Sequence, residues 1–249
     1  MSTLEKKTWT WQTQRLPEPA RVARWGHFGE PVLLFPTAGG DFEEIERFKL
    51  IHVLTPLIAA GRIKVYSIDS VAGKTWLAGN HSAEYCSRVQ NLFDAYVYEE
   101  IVPLIRRDCA SESLEIIVAG ASIGAFNAIA SLCRHPDVFR LAIAMSGTFD
   151  LSKYLQGRWN QDFYFSSPLH YVPGLADDHP QLVKLRQRFA LIPTGEGDYE
   201  DPEESWRVAR VLGAKGVPNR VDSWGPAYRH DWTTWREMLP KYLDEFARR

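Results

Sequence analysis

The sequence predicts an α/β fold: a mostly parallel central sheet with helices on both faces and a short excursion after the sixth strand. Three observations point there. Short apolar runs alternate with stretches whose apolar residues recur at helical spacing, the pattern that builds covered parallel sheets. Several of the runs end in Gly-, Pro- or Asp-bearing loops, where the chemistry of open α/β sheets is found. The third is the stretch I-I-V-A-G-A-S-I-G-A-F-N-A-I-A at 116–130, where an apolar run passes through Gly120-Ala121-Ser122-Ile123-Gly124 directly into a small-residue helical pattern. The 249 residues fit one large domain spanning 1–249 with a sizeable core.

Each element has its own signal. Residues 8–14 alternate with period two, and 21–25 can pair with them as an opening hairpin. Residues 31–35 (P-V-L-L-F) are a short buried strand that runs into the loop Pro36-Thr37-Ala38-Gly39-Gly40. Residues 42–60 carry apolar positions at three- and four-residue spacing and read as helix. The strand 64–68 ends at Asp69, and 82–107 reads mainly as helix. The strand 114–119 leads to Ser122, the helix 122–133 follows, and 141–145 is the sixth strand. Residues 149–187 break the pattern. They are rich in Tyr, Phe, Pro, Gly and Asp with little periodicity, and read as a lid-like or active-site excursion. The core resumes with strand 189–193, helix 203–212, strand 219–224, a loop carrying His230 and a closing amphipathic helix at 232–248.

Bulk properties exclude several classes. Hydrophobic content of 45% and charged content of 24% are those of a soluble globular protein. A net charge of −2 gives no electrostatic reason to expect nucleic acid or an anionic membrane as partner. No stretch has the length of a membrane helix, and the N-terminal residues lack the apolar run of a secretory signal. Cys86, Cys109 and Cys133 are widely spaced and match no zinc or redox pattern. They read as small buried apolar residues in a reducing, cytoplasmic setting. No metal or other cofactor is expected, and the oligomeric state stays open, a homo-oligomer included.

The G-x-S-x-G turn between strand and helix is the signature of a nucleophile elbow. Ser122 would attack a carbonyl, but a serine hydroxyl needs a base within hydrogen-bond reach. Of seven histidines, only His230 follows a final strand and precedes a final helix; an imidazole there can take the serine proton and return it to the leaving group. His170, in the excursion, is the runner-up. A carboxylate must hold the imidazole's tautomer. Asp198, in G-E-G-D after the penultimate strand, is the expected acid, with Glu196 next; the neighbours Glu200 and Asp201 read as a solvated acidic loop before the next helix. The order Ser…Asp…His is the one expected of an α/β-hydrolase fold. An oxyanion hole needs two N–H donors, expected from Ile123 and from Ala38 in the 36–40 loop, with Gly39 close behind.

These segments resemble esterases of the α/β-hydrolase superfamily, the group with esterase D (S-formylglutathione hydrolase), feruloyl esterases and mycolyltransferases. Gly120-Ala121-Ser122-Ile123-Gly124-Ala125 resembles the elbow and Thr194-Gly195-Glu196-Gly197-Asp198 the acid loop. Tyr228-Arg229-His230-Asp231-Trp232-Thr233-Thr234-Trp235 resembles the His-x-Trp-x-x-Trp pattern. The resemblance implies hydrolysis of a carboxylic ester of a small or medium substrate through an acyl-enzyme, without cofactor. Ile123 stands where Met or Leu is common, and the 36–40 loop lacks a histidine-glycine start. Trp76, Gly39 and Trp224 are candidates for the substrate pocket, since aromatic surface suits an acyl or aryl group. An acyltransferase would share the same triad, and a non-catalytic binding protein would share the fold.

Overall fold

The apolar runs assemble into one eight-stranded sheet. Its strands are β1 (Lys6–Trp11), β2 (Ala20–Trp25), β3 (Glu30–Phe35), β4 (Ile63–Ile68), β5 (Ile116–Ala121), β6 (Phe139–Met145), β7 (Phe189–Thr194) and β8 (Asn219–Ser223). The computed structural model describes residues 4–248. The spatial order is β1-β2-β4-β3-β5-β6-β7-β8. β1 and β2 form an antiparallel hairpin laid antiparallel on β4, and the remaining pairs are parallel. From β3 the chain steps outward to β4, then returns across β3 to β5. The carboxyl ends of β3 and β5 therefore flank the point where the winding reverses, the crevice in which open α/β sheets bind ligands.

The helices are α1 (Glu44–Arg47), α2 (Leu50–Ala59), α3 (Val71–Leu77), α4 (Ala83–Tyr96), α5 (Val102–Asp108), α6 (Ile123–Arg134), α7 (Gln161–Ser166), α8 (Pro168–Tyr171), α9 (Pro180–Leu185), α10 (Pro202–Ala214) and α11 (Trp232–Phe246). α2 and α11 cover one face, where Leu54, Ile58, Met238 and Leu239 share a core with Val32, Leu34, Ile117 and Ile143. α4, α6 and α10 cover the other, where Phe93, Phe126, Ile129 and Val208 join Leu33, Val118 and Ala142. β5 is buried along its whole length, and its side chains alternate between the two cores, as a strand covered on both sides must.

Three expectations are corrected. The helix expected over 42–60 is two helices, because Lys49 takes a left-handed conformation (φ 62°) between α1 and α2. The helix over 82–107 is interrupted by a wide π turn, Val97–Ile101, just before Pro103, which has no N–H for a regular ladder. The stretch 149–187, read as a lid-like or active-site excursion without regular structure, carries short helices packed on the core. Its short helices bury Leu151, Leu155, Phe163, Leu169, Val172, Leu182 and Leu185 in the same core as α4 and α6. Capping supports it: the Asn160 side chain accepts from the Phe163 N–H at 2.9 Å, which starts α7.

A tight backbone contact lies where α6 leaves β5. A Cβ on Gly124 would sit 2.5 Å from the Phe35 carbonyl oxygen and 2.7 Å from that of Pro36. These are backbone atoms at the end of β3, with no rotamer to escape into. Gly124→Ala is therefore expected to lower stability by about 1–3 kcal/mol, as overpacking of a core does. A denaturant midpoint equal to that of the parent chain would sink this account of the contact.

Candidate active site

Ser122 sits between β5 and α6 with φ 58° and ψ −124°. Side chains rarely adopt this conformation, and holding one there costs on the order of 1–3 kcal/mol. The surroundings over-determine it. The Ser122 N–H donates to the Met145 carbonyl at 3.1 Å, and its own carbonyl accepts from Ala125 at 3.1 Å and Thr148 at 3.2 Å. On either side, Gly120 and Gly124 press together; a Cβ on Gly120 would lie 2.4 Å from the Gly124 carbonyl. The half-buried serine is thus held at the carboxyl end of the central strand, with the N-terminus of α6 beneath it. Ile123 is the first residue of α6, so its N–H has no carbonyl a turn earlier within the helix.

The loop after β3 approaches the same spot. A Cβ placed on Gly73 of α3 would lie 3.1 Å from Ile123 Cγ2 and 3.2 Å from Ala38 Cα, so Ala38 and Ile123 converge on one small volume. Gly39 is exposed, with nothing within 4 Å of a Cβ added there. Two buried carboxylates anchor the loop. Glu44 accepts from the Thr37 N–H at 2.8 Å and the Thr37 hydroxyl at 2.6 Å. Asp69 accepts both arms of Arg21, at 2.9 and 2.8 Å, and the Phe42 N–H at 3.2 Å. Burial pushes the pKa of both carboxyls up, against the pull of these donors.

His230 lies in the loop before α11, and the carboxylate beside its ring is Glu200, not Asp198. Glu200 Oε2 is 3.9 Å from His230 Nδ1, and the Glu200 side chain is 1% exposed. The gap is somewhat longer than a hydrogen bond, as unliganded sites often are. The Ser146 hydroxyl donates to Glu200 Oε1 at 2.5 Å and the Thr194 hydroxyl to Oε2 at 3.2 Å. The Trp235 indole in turn donates to Ser146 at 3.0 Å and stands edge-on to the His230 ring, 5.1 Å between centroids. Asp198 meets His230 only through its backbone, whose carbonyl accepts the His230 N–H at 3.0 Å. That bond turns the Asp198 side chain outward, where it is 64% exposed and pairs with Arg229 at 3.3 Å. Glu196 is exposed as well and accepts from the Ser223 hydroxyl.

The aromatic candidates are placed elsewhere. Trp76 is 3% exposed, packed against Tyr154 and Phe163 in the core, and its indole donates to Gln90 at 3.2 Å. Trp224 packs against α11, its indole donating to the Tyr242 hydroxyl at 2.6 Å. Both indoles are spent on structural partners rather than facing an open wall. His170 is half-buried against Trp159 and Phe163, bonded to the Ser167 hydroxyl at 2.7 Å, and burial lowers its pKa. Among the described residues, no group of three or more His, Cys, Asp or Glu side chains is arranged to hold a metal ion. Nor, among them, is any helix long and apolar enough to cross a membrane.

A family model described as "Putative esterase" matches residues 64–246. Among solved structures, a ferulic acid esterase is similar at a TM-score of 0.74 and 18% identity, over 98% of this chain and 97% of that one. An S-formylglutathione hydrolase from Agrobacterium tumefaciens is similar at 0.74 and 13%, over 98% and 95%. A fluorophosphonate-binding serine hydrolase F of Staphylococcus aureus, with substrate bound, is similar at 0.68 and 13%, over 99% of both chains. At these identities the likeness to the solved structures is one of fold. No match was found among curated protein sequences.

The strain at Ser122 has a measurable consequence. Glycine adopts φ 58° without a Cβ penalty, whereas alanine keeps that penalty. Ser122→Gly is expected to be more stable than Ser122→Ala by about 1 kcal/mol, after the greater chain entropy of unfolded glycine is allowed for. The comparison is made by thermal or denaturant unfolding; an alanine variant as stable as the glycine one would mean the turn holds no strain.

Proposed function

The chain belongs to the esterase family of the α/β-hydrolase superfamily, whose activity is carboxylic ester hydrolysis, and on that premise we propose that Ser122, His230 and Glu200 form its catalytic triad. The observation that carries the reading is the positive-φ Ser122 at the carboxyl end of β5, beside the reversal of the sheet. In the proposed cycle His230 accepts the Ser122 proton as the hydroxyl oxygen attacks the ester carbonyl. The N–H groups of Ile123 and Ala38 receive the developing oxyanion. Collapse expels the alcohol, which takes the proton from the imidazolium, and leaves an acyl group on Ser122. Water, deprotonated by the same imidazole, then releases the acid. Glu200 holds the ring's tautomer and stabilises the imidazolium. No step calls for a cofactor.

Glu200 is preferred to Asp198 because only its carboxylate lies beside the ring, and because two hydroxyl donors hold it in a buried slot. The substrate is a small-molecule carboxylic ester. A cytoplasmic location agrees with Cys86, Cys109 and Cys133 all being free thiols; burial of Cys133 pushes its thiol up to about 12, which makes it unreactive.

Hydrolysis of p-nitrophenyl acetate tests the assignment. Ser122→Ala is expected to abolish turnover with the fold retained. Glu200→Gln is expected to lower kcat about a thousandfold, since removal of a triad acid disturbs the imidazole directly. Asp198→Asn should stay within about threefold of the parent, as an exposed ion pair contributes little. The opposite ranking of the two acid variants would return the role to Asp198.

A further inference from the structure

Glu44 is buried, 5% exposed, yet it forms no ion pair among the described residues. Arg47, one turn on, is taken by Asp41. A buried carboxylate without a cation is tolerated only where its oxygens are well bonded. Glu44 spends both on one residue: Oε2 accepts the Thr37 N–H and Oε1 the Thr37 hydroxyl. Thr37 directly precedes Ala38. The rest of the loop closes around this contact. The Gly40 N–H donates to the Thr37 carbonyl at 3.0 Å, and the Ser70 N–H to the Gly40 carbonyl at 3.1 Å. A Cβ on Gly40 would lie 2.3 Å from Glu44 Oε2, so the residue there must be small for the carboxylate to seat. Beyond, the Phe42 N–H is fixed by Asp69.

We propose that Glu44 is a positioning residue for ester hydrolysis: by gripping both donors of Thr37 it sets the direction of the Ala38 N–H toward the oxyanion. The proposal rests on the reading of Ser122 as nucleophile and of Ala38 as an oxyanion donor. A two-oxygen grip fixes more than the height of the loop. Thr37 is held through its N–H and its side chain, and the peptide that follows is held through its carbonyl, which accepts the Gly40 N–H, so the Ala38 N–H in that same peptide plane has a set direction. Glutamine can keep the grip: its amide oxygen accepts the Thr37 N–H, and its NH₂ donates to the Thr37 hydroxyl, which turns to accept. An apolar side chain of similar size cannot, since it offers neither contact. Misaim of an oxyanion donor by about an ångström is enough to slow chemistry a hundredfold, whereas substrate affinity changes little.

The test is steady-state hydrolysis of p-nitrophenyl acetate by the full chain, with unfolding curves for each variant. Glu44→Met, which fills the slot without an acceptor, is expected to lower kcat about 10- to 100-fold with KM within about twofold. Glu44→Gln keeps both contacts and is expected to stay within about threefold of the parent. Thr37→Val keeps the N–H and loses the hydroxyl, so a smaller fall in kcat than in Glu44→Met is expected. The double variant Glu44→Met with Thr37→Val should be no slower than Glu44→Met alone, because both changes break one contact. Where Glu44→Met does not fold, Thr37→Val decides. Parent kcat in a folded Glu44→Met or in Thr37→Val, with only the unfolding midpoint lowered, would overturn the proposal and leave Glu44 a structural residue. Failure of the underlying reading is separate: Ser122→Ala would then still turn over the ester.

Discussion

Everything at the carboxyl edge of the sheet depends on one close approach. β5 must end, reverse direction and begin α6 while the end of β3 lies against the helix start. Gly120 and Gly124 allow backbone to touch backbone there, and Ser122 is left to absorb the turn with φ 58°. A larger residue at either glycine would push α6 away from the sheet, and with it the Ile123 N–H. The strain at Ser122 is thus the local expression of a packing requirement that runs from β3 through β5 to α6. It is offset by the bonds Ser122 makes to Met145, Ala125 and Thr148, which tie the turn to β6 and to the loop beyond it.

The loops around this turn have little regular structure, yet they are not left to find their own conformation. Carboxylates hold them. Glu44 takes the donors of Thr37, Asp69 takes the Phe42 N–H, and Glu204 takes the Phe149 and Asp150 N–H groups at 2.7 and 2.8 Å. Each acid comes from a helix or from the loop just beyond a strand, and each satisfies donors that would otherwise be stranded in a half-buried loop. This is a low-dielectric solution to a general difficulty: residues on loops must be held nearly as firmly as residues on strands if several are to converge on one reacting atom.

How much of this is legible in the sequence follows from the range of each signal. The central strands are legible because a buried strand writes its burial into every residue, as Ile116–Ala121 does, whereas the half-exposed edge strands β1 and β8 are read from alternation and from their place between turns. The elbow is legible because small residues at 120 and 124 answer a local steric demand. The sheet order is not, since it is decided by which runs pair and not by any one run; Ala38 and Ile123 are expected together only because both follow strands of an open α/β sheet. Short helices such as Gln161–Ser166 end before a 3.6-residue period can show. Trp76 looks like a pocket wall after β4, but its indole has a buried partner in Gln90, fourteen residues further along the chain and invisible to local reading. The carboxylate beside His230 is the instructive case. In G-E-G-D-Y-E the sequence points to Asp198, with Glu196 next, and reads Glu200 as solvated; only long-range bonds place Glu200 beside the ring.

Those bonds explain why the longer side chain, two residues later, is the one beside the imidazole. The Asp198 carbonyl is fixed by the His230 N–H, which draws the two loops together through their backbones and sends the Asp198 side chain to solvent. From Glu200 the chain can reach back beneath that contact. The slot it enters is lined by the hydroxyls of Ser146 and Thr194, two donors on opposite oxygens. Such donors satisfy carboxylate oxygens that burial would otherwise leave without partners. Ser146 is itself oriented by the Trp235 indole, whose ring borders His230. One tryptophan on α11 therefore sets the rim of the histidine and, through a hydroxyl, the carboxylate behind it. The closing helix is in this way part of the site, although none of its side chains is required to touch a substrate.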